Sequence, residues 1–427
     1  MKAALMLLLL ALGVVGVIGF AAQIPEPSID PAVTSRPADR EHGRYVAQLA
    51  DCAGCHDVGN AGGRAFPTPI GPVYAANITP DYETGIGAYG FTDFVRLMRF
   101  GVAPRGKWVY PAMPFTAYAR MSDEDLWDLF AYLQQDVPPI KRETRHMAWP
   151  LSIRAPLAIW THLFHKSAPF HADPSQDELW NHGAYLVQGP AHCGTCHTPR
   201  NAALAERDVD GHSAVFLSGT AFDGGSPINL RDNDDGLKRW SESDIALSLQ
   251  NGRNAHSSVS GPMAEVVGDS TQYFHEDDLE AIAHYLKSLG PADEGGRNHY
   301  VPSDASLTRM MAGQETATGG RIFMDSCAAC HRLSGGGAER VFPGLAGNPM
   351  VLGKDPSSLI AVILGGSRLP STAGAPSPLA MPGFGWRYSD EEIAALASYV
   401  RSSWGNQAST VSAAEVAAAR KFMARRL

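Results

Sequence analysis

"CAGCHD" at residues 52–57, "CGTCHT" at 193–198 and "CAACHR" at 327–332 share one spelling: two cysteines two residues apart, with a histidine directly after the second. The three copies use all six cysteines of the 427-residue chain. With 6 cysteines and 15 histidines in 427 residues, random order yields on the order of 0.003 such pentapeptides, so three copies are not accidental. A motif recurring at intervals of more than a hundred residues predicts one structural unit built three times, within the two to four domains that this length suggests.

Four chemistries compete for a C-x-x-C-H sequence. A thioredoxin-like dithiol needs a βαβ surrounding, and no strand alternation is legible here. A structural zinc site needs four ligands, commonly a second cysteine pair, whereas each pair in this chain carries its own histidine. A disulfide suits an exported protein but gives the adjacent histidine no task. Covalent haem accounts for all three residues: two thiols add to the two vinyl groups, and the imidazole of the next residue faces the iron. The expected attachment residues are Cys52, Cys55, Cys193, Cys196, Cys327 and Cys330, with His56, His197 and His331 as proximal iron ligands.

Outward from each motif the same features return in order. A glycine precedes the cysteines in "GRYVAQLADC" from Gly43, "GAYLVQGPAHC" from Gly183 and "GRIFMDSC" from Gly320. An acidic start followed by helical apolar spacing closes each unit: "SDEDLWDLFAYLQQ" from Ser122, "HEDDLEAIAHYLKSL" from His275 and "SDEEIAALASYVRSS" from Ser389. Serine followed by acids is an N-cap signature, the acids being favourable at the positive end of the helix dipole. Tyr132, Tyr285 and Tyr399 sit at one matching point of these closing helices. A glycine opposite each ring would let two helices cross closely. The middles correspond loosely, with Asn77 and Asn229 each opening a turn-rich loop before a short helix that ends near Gly101 and Gly252, and "FPGLAGN" from Phe342 followed by a helix over Leu359 to Leu364.

A thioether is the usual sixth ligand where electrons are passed and oxygen is not bound. Met263 in "SGPMAE" is the one methionine between His197 and Leu307 and is the candidate by elimination. Met113 in "YPAMPF" and Met381 in "LAMPGF" stand at comparable places, each with proline beside it. Met98 lies in a helical apolar pattern and reads as core, Met121 abuts a helix cap, Met324 precedes its cysteines and Met350 comes early. His192 reads as a packing or surface residue, and "SGGGAER" after His331 lacks the lysine of a phosphate loop. No catalytic residue is expected.

A net charge of −9 with 19% charged residues leaves no basic excess that would suggest a nucleic-acid partner, and none is expected. Lys2 followed by an apolar run from Ala3 to Ala22 reads as an export signal or, being long enough to span a bilayer, a retained anchor. Either places the body outside the cytoplasm, in a bacterium the periplasm. "QIPEPSIDPAVTSRPAD" behind it reads as a tether.

In "NITPDYETGIG" at 77–87, "YPAMPF" at 110–115, "WPLSIRAPLAIWTHLF" at 149–164, "GAYLVQGPAHCGTCHTPRN" at 183–201, "FPGLAGN" at 342–348 and "WGN" at 404–406, nearly the whole chain after residue 40 resembles the three-haem cytochrome c subunits of bacterial membrane-bound alcohol, gluconate and related polyol or aldehyde dehydrogenases. The resemblance implies a separate catalytic subunit carrying pyrroloquinoline quinone or flavin, possible further small subunits, and ubiquinone at the inner membrane as electron acceptor. The chain itself would carry three covalent haems c and no enzyme activity of its own. A cytochrome subunit of a molybdenum-dependent aldehyde dehydrogenase is a second possibility, and a multihaem enzyme such as a peroxidase a third, against which the methionine in every unit argues.

The expected architecture is all-α, with three tandem class I-like cytochrome c domains behind an N-terminal hydrophobic signal or anchor helix: 1–22 signal or anchor, 23–35 linker, 36–140 domain 1, 141–177 linker, 178–292 domain 2, 293–311 linker, 312–407 domain 3 and 408–427 a tail. The linker "WPLSIRAPLAIWTHLFH", with Trp149 and Trp160, is suited to a membrane or quinone contact or to a brace across the units.

Overall fold

The computed structural model describes residues 24–424 apart from 25, 69, 222–224 and 293–297. The expected signal or anchor, 1–22, lies outside the described residues. Among them the structure is mostly helical, with strands of two residues paired in antiparallel twos, and no helix is long and apolar enough to cross a membrane. Two compact units form: one from the described residues up to Asp173 together with Tyr185–His192, the other from Pro174–Ala184 together with Cys193 onward. The first pentapeptide belongs to the first unit, and the second and third pentapeptides share the second.

The same frame surrounds each pentapeptide. Leading helices Arg40–Leu49, Glu178–Gln188 and Thr318–Ser326 run toward the cysteines, and closing helices Asp123–Gln135, Glu276–Ser288 and Asp390–Ser402 end the segments. Ser122 Oγ accepts from the Asp125 amide at 3.0 Å. Ser389 and Glu392 form a reciprocal capping box, whereas His275 makes no side-chain cap and that helix start relies on Glu276, Asp277 and Asp278 against the dipole.

Leading and closing helices cross where a glycine removes the side chain. A Cβ on Gly43 would stand 2.0 Å from the Asp128 carbonyl oxygen and 2.9 Å from Tyr132 Cβ, and one on Gly183 would stand 2.0 Å from the Ala281 oxygen and 2.8 Å from Tyr285 Cβ. In the third segment this glycine is Gly319, 2.1 Å from the Ala395 oxygen and 2.7 Å from Tyr399 Cβ, and not Gly320, which faces the Glu315 side chain. The sequence offers two adjacent glycines, and one residue of helix turns the backbone by about 100°, so only one can meet the partner.

Short helices fill the middles: Phe91–Phe100 ending on Gly101, Glu242–Asn251 ending on Gly252, and Ser357–Gly365. Met98 and Met121 are buried in the first core with Phe94, Leu126 and Leu129.

Four connecting stretches carry more structure than the sequence reading gave them, among them the linker over 293–311, which folds in part as helix Ala305–Met311 with Met310 buried in the third core. The tether folds in part as helix Pro31–Ser35, capped by Asp30, with Val33 buried. It is fastened where Arg36 reaches Asp128 at 3.0 Å and Trp127 Nε1 donates to the Arg36 carbonyl. The tail folds as the alanine-rich helix Ala413–Ala424, which buries Val416 and Ala419 in the third core. Between residues 141 and 177, helix Ala155–Phe164 lays Ala158 against Val102 and Trp108, while Trp149, Ile153, Leu163 and Phe164 stay exposed.

Candidate haem-binding sites

Each pentapeptide forms a single helical turn, Cys52–His56, Gly194–His197 and Ala328–His331. That turn lets both thiols and the imidazole leave one short stretch of backbone. Every cysteine is a free thiol, so no pair is consumed by a disulfide. Burial pushes the Cys52 and Cys193 thiols up to about 12 and Cys327 up to about 11. Among the described residues no group of three or more His, Cys, Asp or Glu side chains is placed to hold a metal ion.

The imidazoles are oriented alike at all three places. His56 Nδ1 lies 2.6 Å from the Ala76 carbonyl oxygen, His197 Nδ1 2.8 Å from that of Ile228, and His331 Nδ1 2.9 Å from that of Pro343. A carbonyl can only accept, so Nδ1 carries the hydrogen and Nε2 keeps its lone pair. Burial lowers the pKa of each ring, only partly opposed by the carbonyl bond, which favours the neutral, ligating form. A fixed tautomer with Nε2 directed away from the backbone is what an axial iron ligand needs.

The backbone around each histidine is equally specific. The carbonyl of His56 accepts from Gly62 N at 2.8 Å, that of His197 from Gly219 N at 2.8 Å, and that of His331 from Gly337 N at 3.0 Å. These glycines have φ of +71°, +83° and +62°. A Cβ on Gly62 would sit 2.2 Å from the Ala76 oxygen, and one on Gly337 2.7 Å from the Pro343 oxygen, the acceptors of the two imidazoles. An asparagine anchors each acceptor strand. Asn77 Oδ1 accepts from Thr79 N, Asn229 Oδ1 from Arg231 N and Asn348 Oδ1 from Met350 N, each 2.9 to 3.0 Å away. Asn348 also donates to the Gly344 carbonyl, next to Pro343. Sequence reasoning matched Asn77 with Asn229 without assigning them a task and left Asn348 unmatched. It missed the carbonyls, which no side chain announces, and the glycine of the "SGGG" run at 334–337 finds its use here.

The methionines differ in what surrounds them. Cys327, Cys330, His331 and Met381 line one cavity of 180 Å³, so the third site brings its four expected residues together. Met350, set aside on sequence order, reaches the same wall, and this site therefore offers two thioethers. In the first segment Met113 follows a turn closed from Tyr110, and its side chain packs on the core that Cys52 also touches. Met263 stands half-buried in the first turn of helix Pro262–Asp269. His192 is a packing residue: its ring meets that of Tyr118 edge-on at 5.6 Å, and burial lowers its pKa to about 4. Paired free thiols beside an imidazole whose Nδ1 is held by a backbone carbonyl fit covalently attached haem at all three places.

Comparison with known proteins agrees with this geometry. The cytochrome c family pattern matches residues 41–136 and 316–404, around the first and third pentapeptides. The chain is 42% identical over 421 residues to the gluconate 2-dehydrogenase cytochrome c subunit of Pantoea cypripedii, covering 96% of this chain and 94% of that one. It is 42% identical over 387 residues to the alcohol dehydrogenase (quinone) cytochrome c subunit of Gluconobacter oxydans (strain 621H), covering 88% and 81%. With the fructose dehydrogenase cytochrome subunit of Gluconobacter japonicus it shares 35% over 421 residues, covering 92% and 84%. The chain belongs to the family of cytochrome c subunits of the gluconate, alcohol and fructose dehydrogenases, whose work is electron transfer.

Proposed function

We propose that this chain is the electron-transfer subunit of a periplasmic, membrane-bound dehydrogenase. It carries three haems c, receives electrons from a catalytic subunit with pyrroloquinoline quinone or flavin, and delivers them to ubiquinone at the inner membrane. The observation that carries the reading is the threefold recurrence of one arrangement: adjacent thiols, an imidazole whose Nδ1 is held by a backbone carbonyl, and a left-handed glycine closing the turn. It occurs at the second pentapeptide too, which lies outside the two stretches matched by the family pattern.

Bound at these places, haem iron supplies a one-electron couple. The protein's residues do the rest. Cys52, Cys55, Cys193, Cys196, Cys327 and Cys330 would hold the groups through their thiols, and His56, His197 and His331 would offer Nε2 to the iron. Met113, Met263 and Met381 are the proposed thioether ligands, which would suit each site to electron transfer. The apolar side chains of Trp149, Ile153, Leu163 and Phe164, 78%, 50%, 69% and 40% exposed on and beside helix Ala155–Phe164, support a contact with the membrane surface.

The test is purification of the native complex in mild detergent, followed by assay with a ubiquinone analogue. The reading expects a larger subunit with its own organic cofactor to co-purify, and expects substrate to reduce the haem bands before the quinone. A cytochrome that purifies alone, or haem bands that stay oxidised while the quinone is reduced, would overturn it.

A further inference from the structure

The cavity that holds Cys327, Cys330, His331 and Met381 is not built by the third segment alone. Residues 257–260, which belong to the second segment, line it as well. This loop is rigid. Val259 N donates to the Gly252 carbonyl at 2.8 Å, Arg253 and Ser258 pair as an isolated bridge, and Asn254 Oδ1 accepts from the amides of both His256 and Ser257 at 2.8 Å. From the third segment Asn348 reaches back, donating to the His256 carbonyl at 3.2 Å and to Ser257 Oγ at 3.3 Å. Asn348 is also the residue that fixes the Gly344 carbonyl, beside the acceptor of His331. A second tie lies at the loop base, where Thr372 Oγ1 donates to Asn251 Oδ1 at 3.2 Å.

We infer that the loop over residues 257–260 of the second segment is a wall of the third haem crevice, and that Val259 sets the third haem's potential by keeping water and charge from it. The inference rests on reading the third pentapeptide as a haem site. Haem potential follows burial and nearby charge as well as axial ligation, and an apolar side chain on a hydrogen-bonded loop supplies the first of these. Three residues after the loop stands Met263, the proposed ligand of the second haem, so one short stretch borders both.

The test is a spectroelectrochemical titration of the full chain with its haems attached. Val259→Asp places a carboxylate at the wall and favours the oxidised iron. One midpoint is expected to fall, changing the oxidised-to-reduced ratio at fixed potential by about tenfold, as a unit charge roughly 10 Å away does at an effective dielectric near 20. Val259→Thr keeps the side-chain shape and is expected to shift the same midpoint less. The third haem is marked independently by Met381→His, which replaces its thioether and lowers its midpoint, and in the double variant both falls belong to one haem. Unmoved midpoints in both Val259 variants, or falls on two different haems in the double variant, overturn the inference. If Met381→His leaves every midpoint in place, Met350→His marks the third haem instead, and a fall from Val259→Asp on any other haem overturns the inference.

Discussion

The first and third haem segments reach one geometry by different side-chain means. Both cross a leading and a closing helix at a glycine, both cap the closing helix with serine, and both pin the imidazole Nδ1 on a carbonyl. What fastens the crossing differs. In the first, His42 Nε2 meets Asp125 Oδ1 at 2.7 Å, and Arg36 meets Asp128. In the third, Thr318 takes the place of His42, and Tyr399 donates its hydroxyl to Glu315 at 3.0 Å while Arg401, fully buried, donates to the carbonyls of Val351 and Gly353. The parts held in common are those where backbone meets backbone with no space to spare. The parts that vary are side-chain bonds that several residue types can supply.

The comparison breaks most readily at the left-handed glycines. Gly62→Ala and Gly337→Ala combine a disfavoured φ with a Cβ driven into the imidazole's acceptor strand, and each is expected to cost about 3 kcal/mol or more and to lower haem occupancy at that site. Thermal unfolding and the haem-to-protein absorbance ratio check both. Equal damage at the two sites sharpens the claim of a common frame.

Next come the crossings. Gly43→Ala and Gly319→Ala are expected to lose about 2–3 kcal/mol in denaturant unfolding. Gly320→Ala meets only the Glu315 side chain and is expected to lose about 1 kcal/mol. A larger loss from Gly320→Ala than from Gly319→Ala would reverse the assignment of the third crossing.

The smaller effects separate the two segments. Glu315→Gln keeps a partner for the Tyr399 hydroxyl but removes the charge, and a loss of about 1 kcal/mol confined to the third core is expected. The pH response should lie in the first. The hydrogen bond that His42 donates to Asp125 raises its pKa above its ordinary 6.5, only partly opposed by burial. Its stabilising effect is therefore complete below about 6.5 and fades as pH rises through the higher folded value. Melting of the first unit followed from pH 6 upward should show this decline, and His42→Asn should flatten it.

Much of this was legible in the sequence because it is periodic or spelled out. The pentapeptides, the closing helices starting at Asp123, Glu276 and Asp390, and the helices ending at Gly101 and Gly252 follow from ligand spacing, capping and apolar repeat. The crossing glycine was misread by one residue at Gly320 because two glycines adjoin and only the helix phase chooses between them. The His42–Asp125 pair joins residues 83 apart, and Arg36–Asp128 joins residues 92 apart, so neither leaves a local signal, and the tether behind Ala22 was underrated for that reason. The carbonyls of Ala76, Ile228 and Pro343 are invisible to any reading of side chains.

The central claim is that all three pentapeptides carry haem in one frame. The most direct measurement is the intact mass of the mature chain under denaturing conditions, where only covalently attached groups remain. Three haem additions are expected, falling to two when Cys193 and Cys196 are both replaced by alanine. A mass carrying two in the unaltered chain, with no change on that replacement, would show the second pentapeptide empty and contradict the account.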